Sequence, residues 1–288
     1  MKQLAIISGK GGTGKTTVTS SFAVLANNAV VADCDVDAAN MHLLLNPQIL
    51  SKHDFYGLSV ASIDNQLCTE CGLCKKHCRF DAINDNFCVE SFQCEGCGVC
   101  KYVCPSDAIS METNKAGEAY ESITRLGLLL AHAKLGIGED ASGKLIAVVR
   151  EIAIRMAEEN KADLILIDGP PGTGCAVIAT LTGVDLALIV TEPTISGIHD
   201  LERALEVTSH FNIPALVCIN KYDINEEMAR EIEAMSNSHN AMIVGKLPFN
   251  KIPTEAMIVG KTVVEYASNT FTSNIEEMWS KVKEVLKL

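Results

Sequence analysis

Eight of the twelve cysteines in this 288-residue chain follow one spacing, which restricts the possible folds more than any other feature of the sequence. The pattern Cys-x2-Cys-x2-Cys-x3-Cys occurs twice, and Pro105 follows the second copy. Four thiolates at this spacing can wrap around a 4Fe-4S cluster. The first copy consists of Cys68, Cys71, Cys74 and Cys78, and the second of Cys94, Cys97, Cys100 and Cys104.

The two cysteine runs are copies of one small unit, because they match at positions between and after the cysteines. The matching pairs are Gly72 with Gly98, Lys75 with Lys101, and 81–83 with 107–109. A pair of tetrathiolate zinc sites is the alternative, since zinc also uses short cysteine spacings. Four evenly clustered cysteines in each run, with a proline after the second, favour iron-sulfur clusters.

A phosphate-binding loop occupies the N-terminal end of the chain, directly after an apolar segment at 3–8. Glycines at such a loop let backbone N–H groups approach phosphate, and the helix N-terminus adds positive potential. We expect Lys15 to contact the β- and γ-phosphates and the Thr16 hydroxyl to reach Mg2+. The predicted loop residues are Gly9, Lys10, Gly11, Gly12, Thr13, Gly14, Lys15, Thr16 and Thr17.

The second lysine of the loop, Lys10, makes the sequence resemble the deviant Walker A ATPases, the group that includes MinD, ParA, Mrp and the nitrogenase iron protein. The resemblance extends through the segments at 33–40 and 168–174, which look like switch I and switch II of that family. It implies that ATP or ADP is bound with Mg2+ at a dimer interface, and that Lys10 crosses to the partner subunit's phosphates.

The same resemblance assigns roles to individual positions. It implies that Lys10, Lys15 and Asp35 are catalytic, with Asp35 orienting the attacking water, and placement with electrostatics is most of what phosphoryl transfer needs. Asp33 and Asp168 would join Thr16 in supporting Mg2+ and its waters. The Gly172 amide would sense the γ-phosphate, Asn220 would bind the base, and Pro248 would border the base. Asp37 and Asn40 fit either a nucleotide role or capping of a helix near 36–40.

The cysteine segment resembles a bacterial-type two-cluster ferredoxin, in which the fourth cysteine of each run crosses to the other cluster. This resemblance implies two 4Fe-4S clusters. One would be held by Cys68, Cys71, Cys74 and Cys104, and the other by Cys94, Cys97, Cys100 and Cys78. The sequence departs from the pattern at Arg79, where the first run would often carry proline.

Apolar strands at 163–168, 186–190, 214–220 and 241–247 alternate with amphipathic segments. This pattern predicts an α/β fold with a mostly parallel sheet and helices on both faces, and a small α+β ferredoxin-like module inserted into it. We place the ATPase domain at 1–63 and 113–288, and the inserted module at 64–112. The spacing predicts a strand at 56–63 and helices at 15–26, 121–134 and 144–159, with Ser142 as a cap of the last.

Composition limits the partners and the location. The formal net charge is -12, which disfavours nucleic-acid binding because no block of lysine and arginine is present. No apolar stretch reaches the ~20 residues of a membrane span. The loop follows the first strand without room for a secretory leader, so we expect a cytoplasmic protein with reduced thiols rather than disulfides.

Four cysteines lie outside the two runs. We expect Cys34, Cys88, Cys175 and Cys218 to be small buried side chains, although the position of Cys175 in the switch II segment resembles that of a cluster-bridging cysteine of the nitrogenase iron protein. The apolar stripe at 275–286 predicts a C-terminal helix that packs on the sheet rather than on a membrane, because its polar face carries charges of both signs.

These observations predict a nucleotide-dependent homodimer that uses ATP hydrolysis to deliver electrons through two 4Fe-4S clusters to an unidentified redox or iron-sulfur acceptor protein. An iron-sulfur assembly or carrier ATPase is the first alternative. The second is an electron carrier for which the nucleotide acts as a switch without significant turnover.

Overall fold

A nine-stranded sheet forms the centre of the computed structural model, which describes residues 1–136 and 142–288. Its strand order is β3-β4-β5-β2-β6-β1-β7-β8-β9. The strands are β1 (Lys2–Ser8), β2 (Ala29–Asp33), β3 (Gln48–Ile63), β4 (Ile109–Ile123), β5 (Leu129–Leu135), β6 (Leu164–Pro171), β7 (Leu186–Thr191), β8 (Ala215–Asn220) and β9 (Met242–Leu247). The pairs β1–β6, β1–β7, β2–β5, β2–β6, β7–β8 and β8–β9 are parallel. The predicted α/β fold with a mostly parallel sheet is confirmed.

Eight of the α-helices within the described residues lie between strands along the chain, as expected when parallel strands need crossover connections, and three follow β9. They are α1 (Lys15–Leu25), α2 (Met41–Leu45), α3 (Leu73–His77), α4 (Val99–Tyr102), α5 (Ser142–Glu159), α6 (Cys175–Leu181), α7 (Ile195–His210), α8 (Glu226–Ser238), α9 (Ile252–Ile258), α10 (Val263–Tyr266) and α11 (Thr270–Leu286). The predicted helix at 144–159 is confirmed as α5. Residues 137–141 and the side chain of Ser142 lie outside the described residues, so the capping role of Ser142 stays a prediction.

Alternate residues of the central strands face opposite layers of helices. Leu4 and Ile6 belong to one core cluster with Phe22 of α1 and Trp279 of α11, whose rings are 4.9 Å apart. On the other face, a Cβ built on Gly169 would meet both the Ile7 side chain and α6, so Ile7 points towards α6. Helices therefore cover both faces, and the continuous apolar character of the strands reflects burial on each side.

The prediction of a helix at 121–134 is wrong. This segment contains the end of β4, a turn at 124–128 and β5. Gly127 has a φ of 76° and donates its N–H to Thr124 O at 2.9 Å, which closes the turn. Val30 and Leu129 are partners in the parallel pairing of β2 with β5. Pairing with a buried strand has outweighed the helix propensity of the leucines and alanines.

The chain divides into two compact units. The first contains Met1–His53, Ala119–Lys134 and Ser142–Leu288, and the second consists of Asp54–Glu118 with a short segment that begins at Leu135. Strands β3 and β4 continue from one unit into the other along the chain, and β3 begins eight residues before the strand predicted at 56–63. The proposed domain limits at 64–112 remain a prediction.

The second unit is built from two similar halves, as the sequence repeat indicates. Gly72 and Gly98 precede α3 and α4 with nearly the same backbone angles, φ 75° and ψ -1° against φ 73° and ψ 1°. Asp81 and Asp107 match in the same way, with φ of 51° and 50°. Both glycines are in the left-handed region, where a side chain would strain the backbone. The duplicated sequence thus adopts a duplicated local structure.

The C-terminal helix α11 packs on the sheet, as predicted. It contacts β9 and α1, and Ile275, Met278 and Val282 are fully buried. Val285 is the exception in the predicted stripe, because its side chain is exposed. Within the part of the chain that the structure describes, no helix combines the length and apolarity that crossing a membrane requires.

Candidate functional site

The loop between β1 and α1 leaves its backbone available for an anion. Gly12 and Gly14 have positive φ values of 78° and 97°, and Gly14 occupies the N-cap position of α1 without a capping side chain. The first N–H groups of a helix have no partner within the helix, and they attract negative charge. The local geometry of the loop therefore suits phosphate. Lys15, the first residue of α1 after the loop, is buried, with 5% of its surface exposed.

A hydrogen-bonded group connects the start of α1 to Asp168 of β6. The Thr16 hydroxyl donates to Asp168 Oδ2 at 2.8 Å, and the Thr19 hydroxyl lies 2.8 Å from Asp168 Oδ1. Asp33 ends β2 and is the register partner of Asp168 in the neighbouring strand. The backbone N–H groups of Asp35 and Met41 donate to Asp33, at 3.3 and 3.4 Å. Sheet pairing thus places the two carboxylates predicted near Mg2+ side by side.

Asp35 is buried with an unsatisfied oxygen. Its residue exposure is 8%, and Oδ1 has no hydrogen-bond partner among the described residues. A buried polar atom without a partner is costly unless a ligand or water satisfies it. Asp35 also lines the cavity beside the phosphate-binding loop, so this oxygen is available to a bound molecule.

The three carboxyl groups are destabilised as anions in the protein alone. Burial, and then the charge of Asp168, raise the pKa of Asp33 well above its usual range. Burial raises the pKa of Asp168 against the opposing effects of Lys15, Thr19 and Thr16. Burial also raises the pKa of Asp35, again opposed by Lys15. Clustered carboxylates with raised pKa values favour a cation, and oxygen ligands suit Mg2+.

Lys10 points away from this cluster, to the start of α7. Its Nζ lies 2.5 Å from Glu192, 3.0 Å from Thr194 Oγ1 and 3.1 Å from Ser196 Oγ. Glu192 also binds Lys221 at 2.9 Å. The sequence analysis missed these partners of Lys10, because they lie more than 180 residues away in the chain.

A cavity of about 460 Å³ extends from the phosphate-binding loop to the loop after β9. Among the predicted site residues, it is lined by Gly11, Gly12, Gly14, Lys15, Thr16, Thr17, Asp35, Asn220 and Pro248, while Gly9, Lys10, Thr13, Gly172, Asp33 and Asp168 are outside its lining. Its remaining lining is largely apolar around Phe249, Met257 and Phe271, as expected for a site that holds a flat base.

Two predicted nucleotide contacts are engaged with the protein itself. The Asn220 amide donates to Thr13 O at 2.7 Å, and its Oδ1 accepts from Lys221 N at 3.0 Å. The Gly172 N–H donates to Ser8 O at 2.9 Å. A nucleotide role for either group would require it to change its hydrogen-bond partner.

The second unit contains two small cavities, each lined by four of the run cysteines. Cys68, Cys71, Cys74 and Cys104 line one, and Cys78, Cys94, Cys97 and Cys100 line the other. Each cavity thus combines three cysteines of one run with the fourth cysteine of the other run. Apolar side chains, including Ile63, Ile83 and Ile109, form the remaining walls.

Backbone N–H groups point towards several of these sulfurs. The N–H of Glu70 lies 3.4 Å from Cys68 Sγ, that of Ala108 lies 3.3 Å from Cys104 Sγ, and that of Ala61 lies 3.5 Å from Cys94 Sγ. Such contacts favour thiolate over thiol. Among residues 1–136 and 142–288, no group of three or more His, Cys, Asp or Glu side chains is arranged to hold a single metal ion.

The four remaining cysteines divide into two classes. Cys34 and Cys218 are fully buried, as predicted, and burial raises the pKa of both thiols, that of Cys218 to about 12. The prediction is wrong for Cys88 and Cys175, which are exposed. Cys175 is the first residue of α6, directly after the segment at 168–174, and its thiol lies at the surface.

The family model for the CobQ/CobB/MinD/ParA nucleotide binding domain matches residues 4–263. The chain belongs to this family. Its members share a nucleotide-binding domain with the P-loop ATPase fold, in agreement with the phosphate-binding loop between β1 and α1.

Relatives of this chain match it over different lengths. An uncharacterized protein of Methanocaldococcus jannaschii is 35% identical over 287 residues, which cover 99% of this chain and 97% of the relative. An iron-sulfur cluster carrier protein of Pyrococcus horikoshii is 27% identical over 141 residues, which cover 43% of this chain and 47% of the relative.

Among solved structures, the septum site-determining protein MinD of Pyrococcus horikoshii, complexed with Mg-ADP, has a TM-score of 0.59 and 19% identity. The match covers 99% of this chain and 97% of that protein. At this identity the likeness shows a shared fold. It agrees with the family assignment.

Proposed function

We propose that this protein is an ATPase that couples ATP binding and hydrolysis to electron transfer through two 4Fe-4S clusters. The observation that carries the proposal is the presence, in one chain, of a nucleotide cavity with an unsatisfied buried carboxylate and two cavities lined by four cysteines each. Neither feature alone would indicate coupling. Their presence in one chain supports a coupling between nucleotide and redox state.

The nucleotide site contains the groups that phosphoryl transfer requires. The loop amides and Lys15 would hold the phosphates, and Asp35 would orient a water for attack, for which its free Oδ1 is suited. Thr16, with Asp33 and Asp168 behind it, would hold Mg2+ and its waters. When bound, Mg2+ would neutralise charge on the phosphates. The apolar end of the cavity near Pro248 and Asn220 would receive the adenine.

The cysteine cavities fit iron-sulfur clusters by their chemistry. Thiolates are the usual ligands of such clusters, and each cavity provides four of them within apolar walls and near backbone N–H donors. The exchange of the fourth cysteine agrees with crossed ligation: one site of Cys68, Cys71, Cys74 and Cys104, and another of Cys94, Cys97, Cys100 and Cys78. When bound, such clusters accept and release single electrons, and nearby hydrogen bonds tune their potentials. The inserted module at 64–112 would hold both.

Lys10 would act across the interface of a nucleotide-dependent homodimer. Within one chain its ammonium group is bound to Glu192, Thr194 and Ser196. These groups lie at the start of α7, so Lys10 must leave them before it reaches a partner's phosphates. Dimer formation would therefore exchange one set of charged contacts for another, without unfolding of either chain.

The electron acceptor would be a redox or iron-sulfur protein, in a cytoplasmic setting where thiols remain reduced. Nucleic acid is an unfavourable partner for a chain of net charge -12.

An iron-sulfur carrier ATPase is the second candidate, and two observations favour it. Relatives from three Pyrococcus species that match 43% of this chain are iron-sulfur cluster carrier proteins. In addition, one cysteine of each cavity, Cys71 and Cys97, is exposed, which would give an acceptor protein access to the bound cluster. A nucleotide-switched electron carrier with negligible turnover is the remaining candidate.

Three measurements on anaerobically purified protein separate these functions. Iron and sulfide analysis should give about eight of each per chain if two 4Fe-4S clusters are bound. ATP turnover, with and without a reductant, should separate an ATPase from a switch. Incubation with an apo-ferredoxin and ATP should leave the clusters in place, whereas transfer on ATP addition would favour the carrier. Zinc-loaded, colourless protein after reconstitution would contradict the proposal.

A further inference from the structure

Thr19 is a buried hydroxyl that binds a site carboxylate without lining the nucleotide cavity. It lies one turn after Lys15 on α1, its residue exposure is 0%, and it is absent from the lining of the cavity. Its Oγ1 lies 2.8 Å from Asp168 Oδ1 and 3.0 Å from Lys15 O. Neither the loop pattern nor the family resemblance points to this position.

The Thr19 hydroxyl has two acceptors but a single proton. A threonine within a helix ordinarily donates to the carbonyl four residues earlier, here that of Lys15. A carboxylate is the stronger acceptor, because hydrogen bonds to ionised groups are shorter and stronger than neutral ones. The shorter of the two distances is the one to Asp168, in agreement with donation to the carboxylate.

Asp168 is therefore held at both oxygens by α1. Thr16 donates to Oδ2 and Thr19 to Oδ1, both at 2.8 Å. Thr16 is exposed to the nucleotide cavity, whereas Thr19 is sealed in the interior. If Thr16 turns to a bound cation, Thr19 is the hydroxyl that continues to fix the orientation of Asp168 beside Asp33.

We infer that Thr19 is a positioning residue for the divalent cation: its hydroxyl fixes the Asp168 carboxylate so that Thr16 and Asp168 present one preformed face to Mg2+. This inference rests on the proposed function only in assuming that the nucleotide is bound with Mg2+. It implies that loss of the hydroxyl weakens cation binding more than nucleotide binding.

The test compares Thr19→Val, which keeps the shape of the side chain, with Thr19→Ser, which keeps the hydroxyl. Thr208→Val is a matched control, because Thr208 is also buried and its hydroxyl also donates to a helix carbonyl, that of Leu205 at 2.9 Å. A fluorescent ATP analogue is titrated in EDTA to obtain the affinity without cation. Mg2+ is then titrated at a fixed analogue concentration to obtain its half-saturating concentration.

For Thr19→Val we expect the half-saturating Mg2+ concentration to rise about 10-fold, a typical effect of removing a residue that orients a metal ligand. The affinity for the analogue in EDTA should stay within about 2-fold of the wild type, because Thr19 does not line the cavity. Thr19→Ser should restore the wild-type Mg2+ dependence, and Thr208→Val should not alter it. Thr19→Ala removes the same hydroxyl and places a smaller side chain in the buried position. It should repeat the effect if the valine variant fails to fold.

Two results would overturn the inference. One is a Thr19→Val or Thr19→Ala protein that titrates with Mg2+ as the wild type does. The other is an equal loss of affinity with and without Mg2+, which would indicate a general disturbance of the site. Failure of the wild-type protein to bind the analogue under any condition would instead contradict the proposed function, so the two failures are distinguishable.

Discussion

At the residue scale, the fold buries two carboxyl groups, those of Asp33 and Asp168, side by side at the start of α1. Asp33 and Asp168 are adjacent because β2 and β6 pair in register, and burial raises the pKa of each. Such an arrangement is unfavourable in isolation and is relieved when a cation binds. The site is therefore preformed for a charged ligand, at some cost to the stability of the free protein.

The first prediction concerns Asp35. Replacement by asparagine keeps the size of the side chain but removes the charge that would orient the attacking water. We expect Asp35→Asn to retain ATP binding and to reduce the steady-state turnover number by about 100-fold or more. Glu202→Gln is the matched control, since Glu202 is exposed on α7 and lies outside the lining of the cavity. Equal turnover in wild type and Asp35→Asn would contradict the assigned role.

The sequence predicted part of this site, and the reason for the remainder is physical. Lys15, Thr16 and Asp35 could be named from the sequence because the loop chemistry and the family resemblance demand particular residues at fixed spacing. Thr19 and Glu192 were missed, because an ordinary threonine or glutamate gains its role only from a strand or helix distant in sequence. The same limitation applies to Cys175, whose exposure depends on how α6 begins.

At the element scale, the exchange of cysteines between the two halves of the second unit gives the second prediction. Replacing Cys68 and Cys104 together with serine removes two ligands of one cavity, so about four irons per chain should remain. Replacing Cys68 and Cys78 removes one ligand from each cavity, so both clusters should be weakened and less than about four irons retained. Iron analysis of anaerobically purified protein gives the answer. If each cluster were instead held by the four cysteines of a single run, the two results would be reversed.

The turn between β4 and β5 gives the third prediction, because Arg125 connects it to two helices. Its guanidinium group forms a two-point ion pair with Glu265 of α10, both distances being 2.7 Å, and donates to Leu44 O of α2 at 3.2 Å. Its backbone N–H donates to Leu45 O at 3.0 Å. We expect Arg125→Leu to lower the free energy of unfolding by about 1.5–3 kcal/mol at pH 7, as measured by urea denaturation.

This effect should depend on pH. Burial alone would raise the pKa of Glu265, but hydrogen bonds from Arg125 and Thr262 outweigh burial and hold the pKa below its usual range. A carboxyl group whose pKa is lowered by folding stabilises the fold above its unfolded-state pKa, about 4.3 for glutamate. That stabilisation disappears as the pH falls through the lower, folded-state pKa. The difference between wild type and Arg125→Leu should shrink below about pH 4.3, and a constant difference would contradict this account.

Strands and helices were predictable to different degrees. The ends of β6 to β9 were predicted to within one residue, except that β6 ends three residues later than expected, because short apolar runs bounded by turn residues are typical of strands in parallel sheets. The segment at 121–134 was assigned to the wrong class, since its leucines and alanines suit a helix and only Gly127 marks the turn. The pairing of β5 with β2 determines the structure of this segment, and the sequence alone does not indicate that pairing.

At the scale of the whole molecule, the fourth prediction concerns dimerisation. Protein that carries Asp35→Asn to prevent turnover, and is otherwise wild type, should form a dimer with ATP in light-scattering measurements. Addition of Lys10→Ala should keep it monomeric under the same conditions while it still binds ATP, because Lys10 is outside the lining of its own nucleotide cavity. An equal dimer fraction in both proteins would show that Lys10 does not contribute to dimer formation.

The two kinds of site lie in one chain, and in the proposed function each must respond to the other. By linkage, a nucleotide that changes the redox equilibrium of the clusters must bind with different affinity to their oxidised and reduced forms. ATP should therefore shift the midpoint potential of at least one cluster. Lys15→Met is the control, since it removes the phosphate contact in the nucleotide site without touching the cysteines.

The most direct test is a redox titration of the anaerobically purified protein, followed by electron paramagnetic resonance, with and without Mg-ATP. We expect signals from two 4Fe-4S clusters, a potential that shifts with Mg-ATP in the wild type, and no shift in Lys15→Met. Potentials that are the same with and without Mg-ATP in the wild type, or the absence of any cluster signal, would contradict the proposed function.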